Sequence, residues 1–431
     1  MSLHVGPATD GLRGELRLPG DKSIAHRALL VGAVADGHTR LEGLPDGADV
    51  RSTLNAVEQL GVRVRRDGTR VEIEGAGLDF ATETQVRIDC GNSGTTMRLL
   101  AGLLASRPGR FELTGDASLS RRPMERVAEP LRSMGAGVST TDGHAPIQIE
   151  GGRLTPIDRQ LAVPSAQVKT AILLAGLRTD GRTTVREPIR TRDHTERLLE
   201  YVGAAIHRDG AVVSIEGNRP LTGRRVPLPA DVSAAAFFLV AGSIVPNSEL
   251  SLLNVGLNET RTGVLRILER MGADIEVRGV WEEAGEPRGD LRVRAAPLHG
   301  VTIEAEEVPA AIDELPVLAM AAACADGETV VRGAGELRVK ESDRLAAIAQ
   351  LGELGATITI QPDGFRIVGG AGRPLPGGSV SSAGDHRIAM AFAVLALRTS
   401  GGIHIDGGDA MAVSFPGFVS EVERLGARVR R

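Results

Sequence analysis

A chain of 431 residues with 42% hydrophobic content can fill more than one core, while a net charge of −5, a pI near 6.1 and only ten aromatic residues (eight Phe, one Trp, one Tyr) exclude a nucleic-acid surface. Cys90 and Cys324 form no paired or metal-type spacing, which fits two buried thiols in a reducing cytoplasm. The nine histidines show no ligand spacing, the amino-terminal MSLHVGPATDGLRG does not read as a signal peptide, and the longest apolar run, Ser233 to Val245, is too short for a bilayer, so no metal, export or membrane role is expected.

From the amino end, HRALLVGAVADGHTRLEG reads as an almost wholly apolar helix, a turn and a β-branched strand. The pattern returns in MRLLAGLLASRPGRFELTG, VKTAILLAGLRTDGRTTVRE, AAAFFLVAGSIVPNSELSLL, PVLAMAAACADGETVVRG and IAMAFAVLALRTSGGIHIDG. A helix without a polar face must be buried. Between these runs lie amphipathic helices that stop at Leu60-Gly61-Val62, Met134-Gly135-Ala136, Val202-Gly203-Ala204, Met271-Gly272-Ala273, Leu354-Gly355-Ala356 and Leu425-Gly426-Ala427. These glycines recur 68 to 83 residues apart and suit left-handed helix stops, where a β-carbon would clash.

Each unit therefore reads as strand, buried helix, strand, amphipathic helix and a strand pair such as VRVRRDGTRVEIEG, a βαβαββ unit present six times. Three buried helices can pack inside a shell of sheets and outer helices, so the fold class is α/β with two lobes of three units each. The expected lobes are residues 20–228, and residues 1–19 with 229–431. The chain would cross in GRRVPLPAD and in LRLPGD, whose strand can pair in the other lobe.

Only three of the fifty basic residues are lysines, namely Lys22, Lys169 and Lys340, each in a short polar stretch that opens an apolar run or just inside one. Arginine is a planar fork that stays charged, whereas lysine is a compact point charge that can release a proton, so lysine should survive where arginine fails. The buried helices open with DKSIAHR, GNSGTTMR, PSAQVK, ADVSAAA, IDELP and GDHR, and the outer helices of units two, three and five with SRRPMER, TRDHTER and VKESDR. Helix amino ends favour anions. A lone Ser, Thr, Asp or Asn there is ordinarily a cap. Arg122, Arg192 and Arg387 instead oppose the dipole, at a cost of about a few tenths of a kcal/mol unless an anion arrives. Lys22 and Arg27 can bracket a ligand from one first turn, and Lys340 and Arg344 are expected on one helical face with Glu341 between them. Gly91-Asn92-Ser93-Gly94-Thr95-Thr96 reads as a phosphate cradle, but no Gly-Lys-Ser/Thr follows, which disfavours an NTPase. Together these starts would hold a small, multiply charged anion between the lobes.

At these residues the chain resembles the 5-enolpyruvylshikimate-3-phosphate synthases. The likeness covers essentially the whole chain and rests on LPGDKSIAHRALL, DCGNSGTTMRLLAG, GDASLSRRPM, VPSAQVKTAILLAGL, TRDHTERLL, DELPVLAMAAA, ELRVKESDRL and DHRIAMAF, in order. It implies the inverse α/β barrel-like fold of enolpyruvyl transferases, with buried helices inside sheets. It also implies transfer of the enolpyruvyl group of phosphoenolpyruvate to the 5-hydroxyl of shikimate 3-phosphate, with no metal and no organic cofactor. A cytoplasmic monomer and a glyphosate target are implied as well. Carried over by residue, Lys22, Ser23, Arg27, Ser165, Ala166, Gln167, Arg192, Asp313 and Lys340 match the shikimate 3-phosphate site. Lys22, Gly94, Arg122, Gln167, Arg344 and Arg387 match the phosphoenolpyruvate site. Asp313 matches the base on the hydroxyl, and Glu341 with Lys22 the proton handlers at the methylene carbon.

The chain also departs from one branch of the family. Val413 stands where that branch has a phosphoenolpyruvate-contacting lysine, and Leu99 where it has proline, while SAQVK and ELRVKESDR look like the other, bacterial-type branch. Lys169 reads as an ion-paired lysine of a buried helix rather than a ligand contact. UDP-N-acetylglucosamine enolpyruvyl transferase shares the six-unit fold but typically uses a loop cysteine and a Lys-Asn pair, against Lys22-Ser23 and no loop cysteine here. A non-catalytic anion-binding paralogue would not need Lys22, Asp313, Glu341, Arg344 and Arg387 together.

The cations divide between units one to three (Lys22, Arg27, Arg122, Arg192) and units five and six (Lys340, Arg344, Arg387), which predicts an open apo state that shikimate 3-phosphate closes. Small-angle scattering is expected to give a smaller radius of gyration with shikimate 3-phosphate bound. An unchanged radius, with binding confirmed by calorimetry, would mean a preformed cleft.

Overall fold

The computed structural model describes residues 2–78 and 85–430. The apolar runs form helices α1 (Lys22–Val34), α3 (Gly94–Ala105), α5 (Ala166–Gly176), α7 (Val232–Ile244), α10 (Leu315–Cys324) and α12 (His386–Ala396). Amphipathic segments form α2 (Ala48–Gln59), α4 (Glu125–Ser133), α6 (His194–Tyr201), α8 (Gly263–Arg270), α11 (Arg344–Ile348) and α13 (Phe418–Arg424), and a short α9 (Val308–Ala311) precedes α10. Every residue of α7 is buried, as its lack of a polar face requires.

The six glycines that end the outer helices all adopt positive φ, from +83° at Gly61 to +111° at Gly426, the left-handed stop expected of them. Each Val, Leu, Ile or Phe buried on the inner helices contributes about 1.5–3 kcal/mol. Gly102 shows why these helices contain glycine: a β-carbon there would sit 2.1 Å from the Ala171 carbonyl oxygen, so only a bare backbone lets α3 and α5 approach so closely.

Six four-stranded sheets share one plan. In the second unit the order is Gln85–Asp89, Gly109–Thr114, His144–Gly151, Gly137–Thr141, with the first pair parallel and the others antiparallel. Two strands are exchanged. Arg13–Leu16, ahead of α1, runs parallel to Glu249–Gly256 with Leu16 opposite Leu252, whereas Arg225–Pro227, ahead of α7, runs parallel to Asp36–Glu42. Leu3–Val5 pairs with both Ile403–Asp406 and Val429–Arg430. The crossover read in LRLPGD is thus present.

Backbone contacts group Gly20–Leu228 with Glu282–Glu286 as one compact unit, and Pro229–Trp281 with the remaining described residues as the other. Each has its own continuous apolar core. The short piece Glu282–Glu286 had been expected with the second lobe. Its carboxylates and backbone find partners in the first: Glu286 lies 2.7 Å from His194 Nδ1, Glu283 accepts from Arg225 at 2.8 Å, and Arg197 donates to the Gly285 carbonyl at 3.0 Å. Among the described residues no helix is long and apolar enough to cross a membrane.

Candidate active site

In the unit Gly20–Leu228, Asp21 caps α1 by accepting from the Ile24 N–H at 2.9 Å, which places Lys22 and Ser23 in the first turn. Lys22 Nζ donates to Asp49 of α2 at 3.0 Å. Arg27, one turn further, is buried and donates to Thr195 Oγ1 (2.7 Å), Thr170 Oγ1 (3.1 Å) and the Ser23 carbonyl (2.8 Å). Burial, with the neighbouring charge of Arg192, pulls its pKa down to about 10, so it stays cationic at neutral pH. Arg192 Nη1 donates to Ser23 Oγ at 3.4 Å. Lys22, Ser23, Arg27 and Arg192 therefore form one cationic group. Beneath it His26 is held neutral: burial drops its pKa to about 3.

A second group forms around Gly94, the first residue of α3. Gln167, near the start of α5, accepts from Arg98 Nη1 at 2.6 Å and donates to Thr95 Oγ1 at 2.9 Å. Arg122 Nη2 donates to Asn92 Oδ1 at 2.7 Å. A β-carbon on Gly94 would lie 3.0 Å from Arg98 Nη1 and 3.2 Å from Arg122 Nη1, so two guanidinium groups close in on the glycine and any side chain there would displace them. Ser165 caps α5 through Val168 N–H at 3.4 Å, and Ala166 begins the helix.

Three expectations need correction here. The Gly91–Thr96 turn is less of a backbone cradle than its sequence suggests, because the N–H groups of Gly91, Ser93, Gly94 and Thr96 already donate to Asp89, Cys90, Asn92 and Ser93 within or beside the turn. Arg122 follows the one-turn 3-10 helix Leu119–Arg121 and precedes α4, and Arg192 precedes Asp193 at the cap of α6. Both are loop arginines, so the helix-dipole argument holds only for Arg387.

In the other unit, Asp313 lies just ahead of α10 with guanidinium nitrogens of Arg344, Arg261 and Arg387 at 3.6, 3.8 and 3.9 Å. Arg344 is fully buried and donates to Asp385 (2.8 Å) and Glu341 (2.6 Å). Burial alone would lower its pKa, but the fields of Asp385, Glu341 and Asp313 outweigh it and hold the group above its ordinary value. Asp385 shows the converse: burial would raise its pKa, and the Arg344 charge brings it below the usual carboxylate range. Arg387 Nη1 donates to Ser233 Oγ at 3.0 Å and to the Asp313 carbonyl at 3.1 Å. Ser233 also bonds Glu314.

Lys340 and Glu341 do not share a helical face with Arg344. They lie between the 3-10 turn Gly335–Val339 and α11, whose cap is Asp343, accepting from Ala346 N–H at 3.1 Å. A capping aspartate directly before Arg344 starts the helix there. Val413 ends a 3-10 turn, Gly408–Val413, well before α13. Lys169 is 1% exposed and paired with Glu187 at 2.7 Å and Glu196 at 2.8 Å, the ion-paired lysine read from its helix.

Asp49, Arg98, Arg261, Glu314 and Asp385 were missed. Arg98 had a signal, a cation one turn after Gly94 in an otherwise apolar helix, and Arg261 in NETRTG opens the outer helix of unit four much as Arg122 and Arg192 precede theirs. Among the described residues no cluster of three or more His, Cys, Asp or Glu is placed to hold a metal ion.

The family model for EPSP synthase (3-phosphoshikimate 1-carboxyvinyltransferase) matches residues 7–422. The chain is 55% identical to the 3-phosphoshikimate 1-carboxyvinyltransferase of Halorhodospira halophila, covering 97% of this chain and 95% of that protein. It is 52% identical to the one from Alkalilimnicola ehrlichii, covering 100% and 97%. The structure of EPSP synthase from Acinetobacter baumannii superposes with a TM-score of 0.89 at 43% identity over the full length of both chains. The enolpyruvyl transferase NikO from Streptomyces tendae, at 21% identity, TM-score 0.80 and coverage of 100% and 98%, shares the fold. With the repeat, the sheet plan and these matches in agreement, the chain belongs to the EPSP synthase (3-phosphoshikimate 1-carboxyvinyltransferase) family.

Proposed function

We propose that this chain transfers the enolpyruvyl group of phosphoenolpyruvate to the 5-hydroxyl of shikimate 3-phosphate and releases phosphate, the step of the shikimate pathway that its family serves. The observation that supports it most directly is the pair of guanidinium groups, Arg98 and Arg122, that converge on the bare backbone of Gly94, a grouping of cations that suits a small carboxylate or phosphate. In this reading Arg122, Gln167, Arg344 and Arg387 bind phosphoenolpyruvate. Ser23, Arg27, Ser165, Ala166, Gln167, Arg192 and Lys340 bind shikimate 3-phosphate, and Lys22 contacts both.

The chemistry is acid–base throughout, which is why the reading calls for no cofactor. Asp313 takes the proton of the 5-hydroxyl as its oxygen attacks carbon 2 of phosphoenolpyruvate, while Lys22 and Glu341 deliver a proton to the methylene carbon. The tetrahedral ketal then returns a methyl proton to the same groups as the carbon–oxygen bond to phosphate breaks. The proposal extends to a cytoplasmic monomer without nucleic-acid or membrane partners, in keeping with the net charge of −5. Burial pushes the thiols of Cys90 and Cys324 up to about 12, which disfavours the thiol-dependent nucleotide-sugar transferase reading.

Phosphate release with phosphoenolpyruvate plus shikimate 3-phosphate, plus the nucleotide sugar, or with neither acceptor is the test. Release with the nucleotide sugar alone would overturn the assignment. Gly94→Ala is expected to push Arg98 and Arg122 aside by a few tenths of an ångström. It should raise the glyphosate inhibition constant by a larger factor than the KM for phosphoenolpyruvate, because the larger ligand has less room. Equal shifts would show that Gly94 does not line that pocket.

A further inference from the structure

Lys169, four residues into α5 and 1% exposed, sits among three acceptors: Glu187 Oε2 at 2.7 Å, Glu196 Oε1 at 2.8 Å and the Thr191 carbonyl at 3.5 Å. Three acceptors match the three protons of an ammonium group, and a planar guanidinium would not fit them. Burial pulls the Lys169 pKa down, but the two carboxylates outweigh it and hold the group charged. Glu187 also accepts from the Thr191 N–H at 3.3 Å and from the Thr191 hydroxyl. Thr191 is therefore held at its N–H, its hydroxyl and its carbonyl, and the next residue is Arg192.

The same triad backs Arg27. Thr170 follows Lys169 and Thr195 precedes Glu196, their hydroxyls are 2.6 Å apart, and both accept from Arg27. A buried ion cluster is poor value as mere stabilisation, since well-packed apolar side chains of similar volume commonly serve as well or better. What apolar packing does not supply is a directional hold on one residue of a loop.

We propose that Lys169, Glu187 and Glu196 are positioning residues that fix the loop 187–192 and so aim Arg192 at the phosphorylated substrate. This rests on the reading of Arg192 as a shikimate 3-phosphate ligand. Lys169→Met would strand two buried carboxylates and risks misfolding, so the informative variant is Glu187→Gln. It keeps the shape, leaves Lys169 paired with Glu196 and weakens the hold on Thr191.

The experiment compares Glu187→Gln, Arg192→Ala and the double variant by steady-state kinetics, calorimetry with shikimate 3-phosphate and thermal melting. Glu187→Gln is expected to raise the KM for shikimate 3-phosphate about tenfold with kcat within about twofold. The double variant should bind no more than about twofold worse than Arg192→Ala, because one residue acts through the other. A lower melting temperature with an unchanged KM, or losses that multiply in the double variant, would overturn the proposal alone. Unchanged binding in Arg192→Ala would overturn the ligand reading and the proposal with it.

Discussion

Lys22→Arg is expected to lower kcat by about two orders of magnitude, the scale of a lost general acid–base group. The charge survives the change, so electrostatic attraction for the two anionic substrates would persist. What is lost is a compact ammonium 3.0 Å from Asp49, in the first turn of α1, whose proton a guanidinium does not replace as a transferable one. Phosphate release at saturating concentrations of both substrates measures the effect, and an unchanged melting temperature would separate it from misfolding. Turnover like that of the unaltered chain would remove the explanation for a lysine surviving here among so many arginines.

The largest effect on stability is expected at Arg344. Arg344→Leu leaves Asp385, itself buried at 0% exposure, without its strongest counter-charge, a loss of about 3–5 kcal/mol. For a unit of this size that is a fall in melting temperature on the order of 10 °C. The pH dependence has a definite sign. In the unaltered chain Asp385 is depressed in pKa, so its contribution is present above its unfolded value and lost as pH falls through the folded one. In the variant burial dominates and the folded pKa rises above the unfolded value. The penalty is then present at neutral and alkaline pH and relieved as the carboxyl takes up a proton. The gap between the two melting temperatures should narrow from pH 8 to pH 5. A constant gap would show that Asp385 finds another counter-charge.

Much of this molecule was legible in its sequence because the signals are local. Gly61 and its five equivalents each end a helix by their own backbone conformation, and α7 announces its burial by having no polar face. Most of the cationic residues, though not Arg98 and Arg261, could be listed for the same reason. Their partners could not: Asp385 reaches Arg344 across 41 residues and Glu286 reaches His194 across 92, distances over which sequence carries no register. Helix starts were misjudged by a few residues where an aspartate competed for the cap, as Asp343 does against Lys340. Lys169 is the intermediate case. A buried lysine demands an anion, yet only the fold shows that there are two, and that one of them also grips Thr191.

The exchanged strands bear on how the chain folds as it leaves the ribosome. Arg13–Leu16 is made early but must wait for Glu249–Gly256, and Leu3–Val5 waits longer still, for Ile403–Asp406 and Val429–Arg430. Meanwhile the three sheets within Gly20–Leu228 draw every strand from that one continuous stretch. The middle of the early half can thus mature first while the leading segment stays unpaired, with its hydrogen-bonding edges open until the last strands emerge. The order of synthesis and the order of completion run in opposite directions for those two short strands, and their charged residues Arg13 and Glu15 help to keep the waiting segment soluble.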